Sequence, residues 1–160
     1  MIRFVKPEDA SQLCDIYNHY IENSIVTFEI DIVTKQMMTD RIESASDKYP
    51  WLVRELDGEL SGFAYASPWK SRCAYRFSVE TTVYLTPSQI GKGIGTSLYE
   101  NLERALRKTS CHSLIAAIAL PNNACIALHE KLGFEKIGQF KEVGWKFNKW
   151  IDVGYWELLI

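Results

Sequence analysis

The chain has 160 residues, 47% of them hydrophobic and 24% charged, which suits one globular domain over 1–160 and argues against disorder or a fibrous repeat. Eighteen basic against twenty acidic side chains leave a net charge of −2, so binding to nucleic acid through a basic excess is not expected. No apolar run is long enough to span a membrane, and Glu8 and Asp9 near the start do not suit a secretory signal.

Taken in order, Met1 to Val5 reads as a short strand. Pro7-Glu8-Asp9 opens a helix, because proline is tolerated in a first turn and acids suit the positive end of the helix dipole. Ala10, Leu13, Ile16, Tyr17, Tyr20 and Ile21 follow at helical spacing and form one buried stripe. A second helix starts at Thr34, with Met38, Ile42 and Ala45 on one face, and Pro50 closes the region. Trp51 to Leu56 and Leu60 to Ala66 are strand-like, joined by Asp57-Gly58, a strong hairpin signal. Tyr75 to Leu85 reads as a long third strand. The glycine-rich segment Gly91-Lys92-Gly93-Ile94-Gly95 leads into a helix with the stripe Ile94, Leu98, Leu102, Ala105 and Leu106. Ser113 to Leu120 is a buried strand, Pro121-Asn122-Asn123 a turn, and Ala124 to Leu132 a short helix stopped by Gly133. Phe134 to Phe140 and Asp152 to Leu159 are the final strands. The sum is an α+β or α/β sandwich around a mixed, mostly antiparallel sheet.

Cysteines 14, 73, 111 and 125 form no C-x-x-C pair, and His19, His112 and His129 share no metal-ligand spacing with them. Neither a disulfide framework nor a metal site is expected, and reduced thiols suit the cytoplasm.

Chemistry concentrates between Val83 and Arg107. Glycines let backbone N–H groups approach an anion, and a helix N-terminus adds unpaired donors and partial positive charge. Such a segment is either a phosphate site or a tight strand-to-helix turn. It fails the Walker pattern, with Thr86 where a glycine is needed and Gly93 where Ser or Thr follows the lysine. It fails the dinucleotide fingerprint too, with Thr96 in place of Gly or Ala.

What remains resembles the acetyl-CoA loop of the GNAT N-acetyltransferases: Arg or Gln, two residues, Gly, one residue, Gly or Ala. Gly93 and Gly95 fill the glycine places, and Ile90 departs from the pattern at the first. Asn18-His19-Tyr20-Ile21-Glu22, Ala64-Tyr65-Ala66-Ser67-Pro68-Trp69-Lys70, Val79-Glu80-Thr81-Thr82-Val83-Tyr84, Leu128-His129-Glu130-Lys131-Leu132-Gly133-Phe134 and Asn148-Lys149-Trp150-Ile151-Asp152-Val153-Gly154 are similar to the phosphinothricin acetyltransferase branch, in order along nearly the whole chain.

The resemblance implies a GNAT-like sheet flanked by about four helices, acetyl-CoA as co-substrate, no metal, and a small amino acid or analogue as acceptor. Methionine sulfoximine and phosphinothricin are the expected acceptors. It implies that backbone groups of Gly91, Lys92, Gly93, Ile94, Gly95 and Thr96 hold the pyrophosphate. Those of Val83, Tyr84 and Leu85, with Asn122, meet the pantetheine. Glu80 becomes the base that frees the attacking amine, against a plain reading as a solvated strand residue. His129 either protonates the leaving thiolate or makes a structural hydrogen bond. Lys70 and Arg72 hold the acceptor carboxylate, and Phe28, Thr81 and Thr82 complete its pocket. Asn122 can also simply cap the helix after it, and Cys125 reads as packing. Trp145, Trp150, Tyr155 and Trp156 are core or the interface of a homodimer. Two rival readings stay open: a peptide or ribosomal-protein N-terminal acetyltransferase, and a non-catalytic acetyl-CoA sensor, the latter prompted by Ile90.

Overall fold

The computed structural model describes residues 1–45 and 47–160. Strand β1 (Ile2–Phe4) is followed by a 3-10 turn, Pro7–Asp9, and helix α1 (Ala10–Asn23). Pro7 stands at the head of that turn, where its missing N–H costs nothing. Helix α2 (Lys35–Glu43) begins at Thr34, whose hydroxyl caps it by accepting from Met37 N at 3.2 Å. Strands β2 (Trp51–Leu56) and β3 (Glu59–Pro68) turn at Asp57 and Gly58, both at positive φ (53° and 83°), as a tight two-residue hairpin requires.

Strand β4 (Ser78–Leu85) starts three residues later than its aromatic run suggests, because Cys73–Tyr75 coil into a 3-10 turn. After helix α3 (Ile94–Leu106), strand β5 (Ser113–Ala119) and helix α4 (Asn123–Lys131), the chain ends in a long hairpin, β6 (Glu135–Lys146) and β7 (Lys149–Leu159). The final strands are thus longer than expected: the alternation that marks β6 is interrupted by a register shift between Phe140 and Gly144.

All seven strands form one sheet in the order β1-β2-β3-β4-β5-β7-β6, antiparallel except for β4 with β5. Alternation along the strands divides the core between the two faces. Val53, Phe63 and Tyr84 pack under α1 and α2 with Leu13, Tyr17 and Ile21. Leu52, Ala64 and Val79 pack with Leu98, Leu102 and Trp156 on the face that carries α3. Trp156 is therefore core, while Trp145 and Trp150 are exposed.

The feature that makes a site is how short the one parallel pairing among the described residues is. β4 and β5 are in register only at Ser78–Glu80 against Ser113–Ile115. Beyond Glu80, β4 continues on β3 as far as Leu85 and β5 continues on β7 as far as Ala119. Between them the sheet opens, leaving facing backbone edges unpaired by each other.

Candidate active site

Glu80 sits at the point where β4 parts from β5. Its neighbours alternate around it: Glu80, Thr82 and Tyr84 turn toward α1 and α2, and Thr81, Val83 and Leu85 toward α3. On the first side a pocket is lined by Tyr17, Thr27, Phe28, Tyr65, Glu80, Thr82 and Tyr84, with Ala117, Ala119 and Val153 across the cleft. On the second side lies a narrower pocket bounded by Thr81, Val83, Tyr99, Asn122, Cys125 and His129. Thr82, Val26, Ala117 and Ala119 border both, so the two open into one another through the gap in the sheet.

Burial pushes the Glu80 carboxyl above its ordinary value, and the Lys70 charge pulls in the opposite direction. A carboxylate so placed holds a proton more readily than one in water, which suits it to accept one from an ammonium.

Glycines shape the rim. Gly91 and Gly93 adopt φ of 80° and 77°, and a Cβ at either would point into open space. None of the amides of Gly91, Lys92 and Gly93 has a backbone acceptor among the described residues. Gly93 is the N-cap of α3, so the first-turn amides of Ile94, Gly95 and Thr96 add to the same array. The Ile94 side chain is core; only its backbone is available. Gly95 lets α3 pass α4, since a Cβ there would stand 3.3 Å from Leu128 Cδ2. This cluster of unpaired donors at a helix N-terminus fits a pyrophosphate, and the strand gap beside it fits an amide-bearing chain. Tyr20 Oη donates to the Leu85 carbonyl at 2.5 Å and pins the far end of β4. Asn122 caps α4, its Oδ1 accepting from Cys125 N at 3.1 Å, while still lining the narrow pocket. Ile90 is exposed and points away from the core.

Of the two readings of His129, the geometry favours the structural hydrogen bond. The residue is only 2% exposed, and both ring nitrogens are taken. Nδ1 lies 2.8 Å from the Cys125 carbonyl, which can only accept, so Nδ1 carries the proton. Burial holds the imidazole below its ordinary pKa, the Cys125 hydrogen bond opposing this, so the ring is neutral. Nε2 is then an acceptor, and the Tyr99 hydroxyl at 2.7 Å donates to it. Tyr99 Oη also lies 3.1 Å from Thr81 Oγ1, which in turn donates to the Ile115 carbonyl at 3.5 Å. Thr81, Tyr99, His129 and the Cys125 carbonyl are thus linked in one buried chain that engages both nitrogens of His129. It fastens β4, one residue past Glu80, to α3 and α4.

Thr81, expected in the acceptor pocket, is 3% exposed, serves this network and lines the narrower pocket and not the one that holds Glu80. Thr82 and Phe28 do line it. Lys70 and Arg72 lie on the exposed stretch between β3 and β4, outside the pocket lining, with Lys70 Nζ 5.1 Å from the Trp69 ring centroid. Cys125 is a half-buried thiol whose pKa desolvation pushes up to about 12, inert as a nucleophile and consistent with packing. Sequence reasoning missed Tyr99, although a tyrosine one place off a leucine stripe signals a hydroxyl needing a buried partner.

Among the described residues no helix is long and apolar enough to cross a membrane, and no three His, Cys, Asp or Glu side chains are grouped to hold a metal ion. Comparison with known proteins agrees with the geometry. The model of the acetyltransferase (GNAT) domain matches residues 2–154. The phosphinothricin N-acetyltransferase of Streptomyces viridochromogenes is 42% identical over 98% of this chain and 85% of its own. The L-methionine sulfoximine/L-methionine sulfone acetyltransferase of Salmonella typhimurium is 33% identical over 98% and 92%. A Sinorhizobium meliloti phosphinothricin acetyltransferase solved with acetyl-CoA superposes with a TM-score of 0.94 at 32% identity, over all of this chain and 88% of that one. A Brucella melitensis ribosomal-protein-alanine N-acetyltransferase superposes with a TM-score of 0.97 at 34% identity, over 100% and 99%. The family model over residues 2–154 and relatives 33–42% identical along nearly the whole chain show the family to which this fold and site belong: the chain is a GNAT acetyltransferase, an acetyl-CoA-dependent N-acetyltransferase.

Proposed function

We propose that the chain, as a single domain over 1–160, transfers the acetyl group of acetyl-CoA to the amine of a small amino acid or analogue of the phosphinothricin or methionine sulfoximine type. The observation that carries this is the position of Glu80, at the junction of a hydroxyl-lined pocket and the gap between β4 and β5. The donor lies along that gap with its pyrophosphate against the amides of residues 91–96, and the acceptor fills the pocket beside Phe28 and Thr82. Glu80 takes a proton from the acceptor ammonium, directly or through one water. The free amine attacks the thioester carbonyl, a backbone N–H of β4 supports the oxyanion, and collapse expels the thiolate. No acyl-enzyme forms. Tyr99 and His129 hold β4 in place during these steps; solvent protonates the thiolate, a fair leaving group with an ordinary thiol pKa near 8.5. Lys70, whose charge is felt at Glu80, meets the acceptor carboxylate together with Arg72. The four unpaired thiols suit a cytoplasmic protein, and the exposed Phe140, Trp145 and Trp150 on the last hairpin suit a homodimer contact.

A pocket of about 230 Å³ suits a small acceptor better than a peptide. Thiol release from acetyl-CoA with phosphinothricin, methionine sulfoximine and an alanine-terminated peptide tests this. Saturable turnover with a free amino acid analogue and little with the peptide is expected. The reverse order would move the assignment to a peptide N-terminal acetyltransferase, and donor binding with no turnover on any amine would support a sensor.

A further inference from the structure

Only two residues of β6 are buried, Gly144 and Lys146, two apart and so on one face. They follow the register shift against β7 between Phe140 and Gly144. There Glu142, at φ 51°, donates its N–H to Asp152 Oδ1 at 2.8 Å. Such a bulge re-aims the residues that follow it, here inward.

What they meet is the wall of the pocket that holds Glu80. A Cβ on Gly144 would overlap the edge of the Phe28 ring. Lys146 is 5% exposed, and its Nζ donates to the Thr27 carbonyl at 2.8 Å, across 119 residues of sequence. Among the described residues it is the one buried lysine or arginine, and it is in no ion pair. An ammonium buried without a carboxylate is costly, far costlier than the exposed lysine that a strand-end position normally carries. Thr27 and Phe28 both line the pocket, and Thr27 Oγ1 also shares a hydrogen bond with Tyr17 at 2.9 Å.

We propose that Gly144 and Lys146 are specificity-determining positioning residues: β6 sets the acceptor pocket from behind by seating the Phe28 ring on a bare glycine and the Thr27 carbonyl on a buried ammonium. The inference rests on the reading of this pocket as the acceptor's. Because the atoms that a new Cβ would meet are the far edge of a side-chain ring, the ring swings and the fold survives.

The test is steady-state kinetics of Gly144→Ala, Phe28→Ala, their double variant, and Lys146→Met, with thermal melts alongside. Gly144→Ala is expected to raise the acceptor KM at least fivefold and to leave the acetyl-CoA KM within twofold. In the Phe28→Ala background the same change has less than a twofold effect, since the ring it displaces is gone. Lys146→Met raises the acceptor KM likewise, again sparing acetyl-CoA, and serves alone should Gly144→Ala fail to fold. An unchanged acceptor KM, equal shifts in both KM values, or a Gly144→Ala penalty as large without Phe28 would overturn the proposal. Wild-type turnover separates the two levels: a wild type that acetylates no free amine sinks the pocket reading and this proposal with it, whereas an active wild type matched by its variants sinks this proposal alone.

Discussion

Tyr99→Phe removes one oxygen from a buried hydrogen-bonded site. The hydroxyl lies 2.7 Å from His129 Nε2 and 3.1 Å from Thr81 Oγ1, and all three side chains are 3% exposed or less. Thr81 retains a long alternative acceptor, the Ile115 carbonyl at 3.5 Å. His129 Nε2 has none, and a buried acceptor left unpaired costs about 1–3 kcal/mol. For a domain of this size each kcal/mol lowers Tm by about 2–4 °C, so a fall of roughly 2–12 °C is expected. A double-mutant cycle gives the sharper reading. His129→Leu removes the acceptor that Tyr99→Phe strands, so the double variant loses less than the sum, by about 0.5–3 kcal/mol of coupling. Melting curves followed by circular dichroism, with urea unfolding for ΔG, supply the measurement. Losses that add to within about 0.5 kcal/mol would refute the assigned chain of hydrogen bonds, because uncoupled sites add that closely. The same variant is expected to reduce kcat less than a change at Glu80, since the network positions β4 and touches no reacting atom.

Other outcomes follow from the same geometry. Gly93→Ala forces an L-residue to φ 77° with nothing to clash against. The left-handed conformation costs about 1–2 kcal/mol, so steady-state kinetics should show an acetyl-CoA KM raised about 5–30-fold with little change in acceptor KM. Stability should fall as pH drops through the ordinary histidine range, because His129 refuses in the folded chain a proton that the unfolded chain accepts. His129→Gln should flatten that part of the urea-derived ΔG against pH between 7 and 5; an unchanged slope would contradict the neutral assignment. The pH profile of kcat/KM should rise on its acid side through a group titrating above the ordinary carboxylate range, since burial raises Glu80.

Much of the fold was readable because its local signals agree. Asp57-Gly58 sits between alternating runs, Thr34 caps α2, and the α3 stripe follows a glycine segment that cannot be strand. The misreadings have physical causes. The Cys73–Tyr75 turn borrows the aromatic look of a strand, and β6 hides behind a bulge that breaks its period at Phe140 to Gly144. For the site, the strand carrying Glu80 and the glycine helix start were legible. Which face each strand residue takes was not separated, although period-two alternation alone sends Thr81 away from Glu80 and Thr82. Tyr99 and Lys146 were invisible as site residues for opposite reasons. One merges with a core stripe, and the other looks like the exposed lysine common at strand ends; only the packing shows that both bury a polar atom against β4 or the Thr27 wall.

The most direct test of the central claim is thiol release from acetyl-CoA by wild type and Glu80→Gln, with phosphinothricin and methionine sulfoximine as acceptors. A general base contributes about 10²–10⁴ in rate, so saturable wild-type turnover should fall at least tenfold in the variant, with acetyl-CoA affinity retained and the acid limb of the pH profile lost. Turnover in Glu80→Gln equal to wild type would contradict the account, as would an enzyme that binds acetyl-CoA and releases no thiol with either amine.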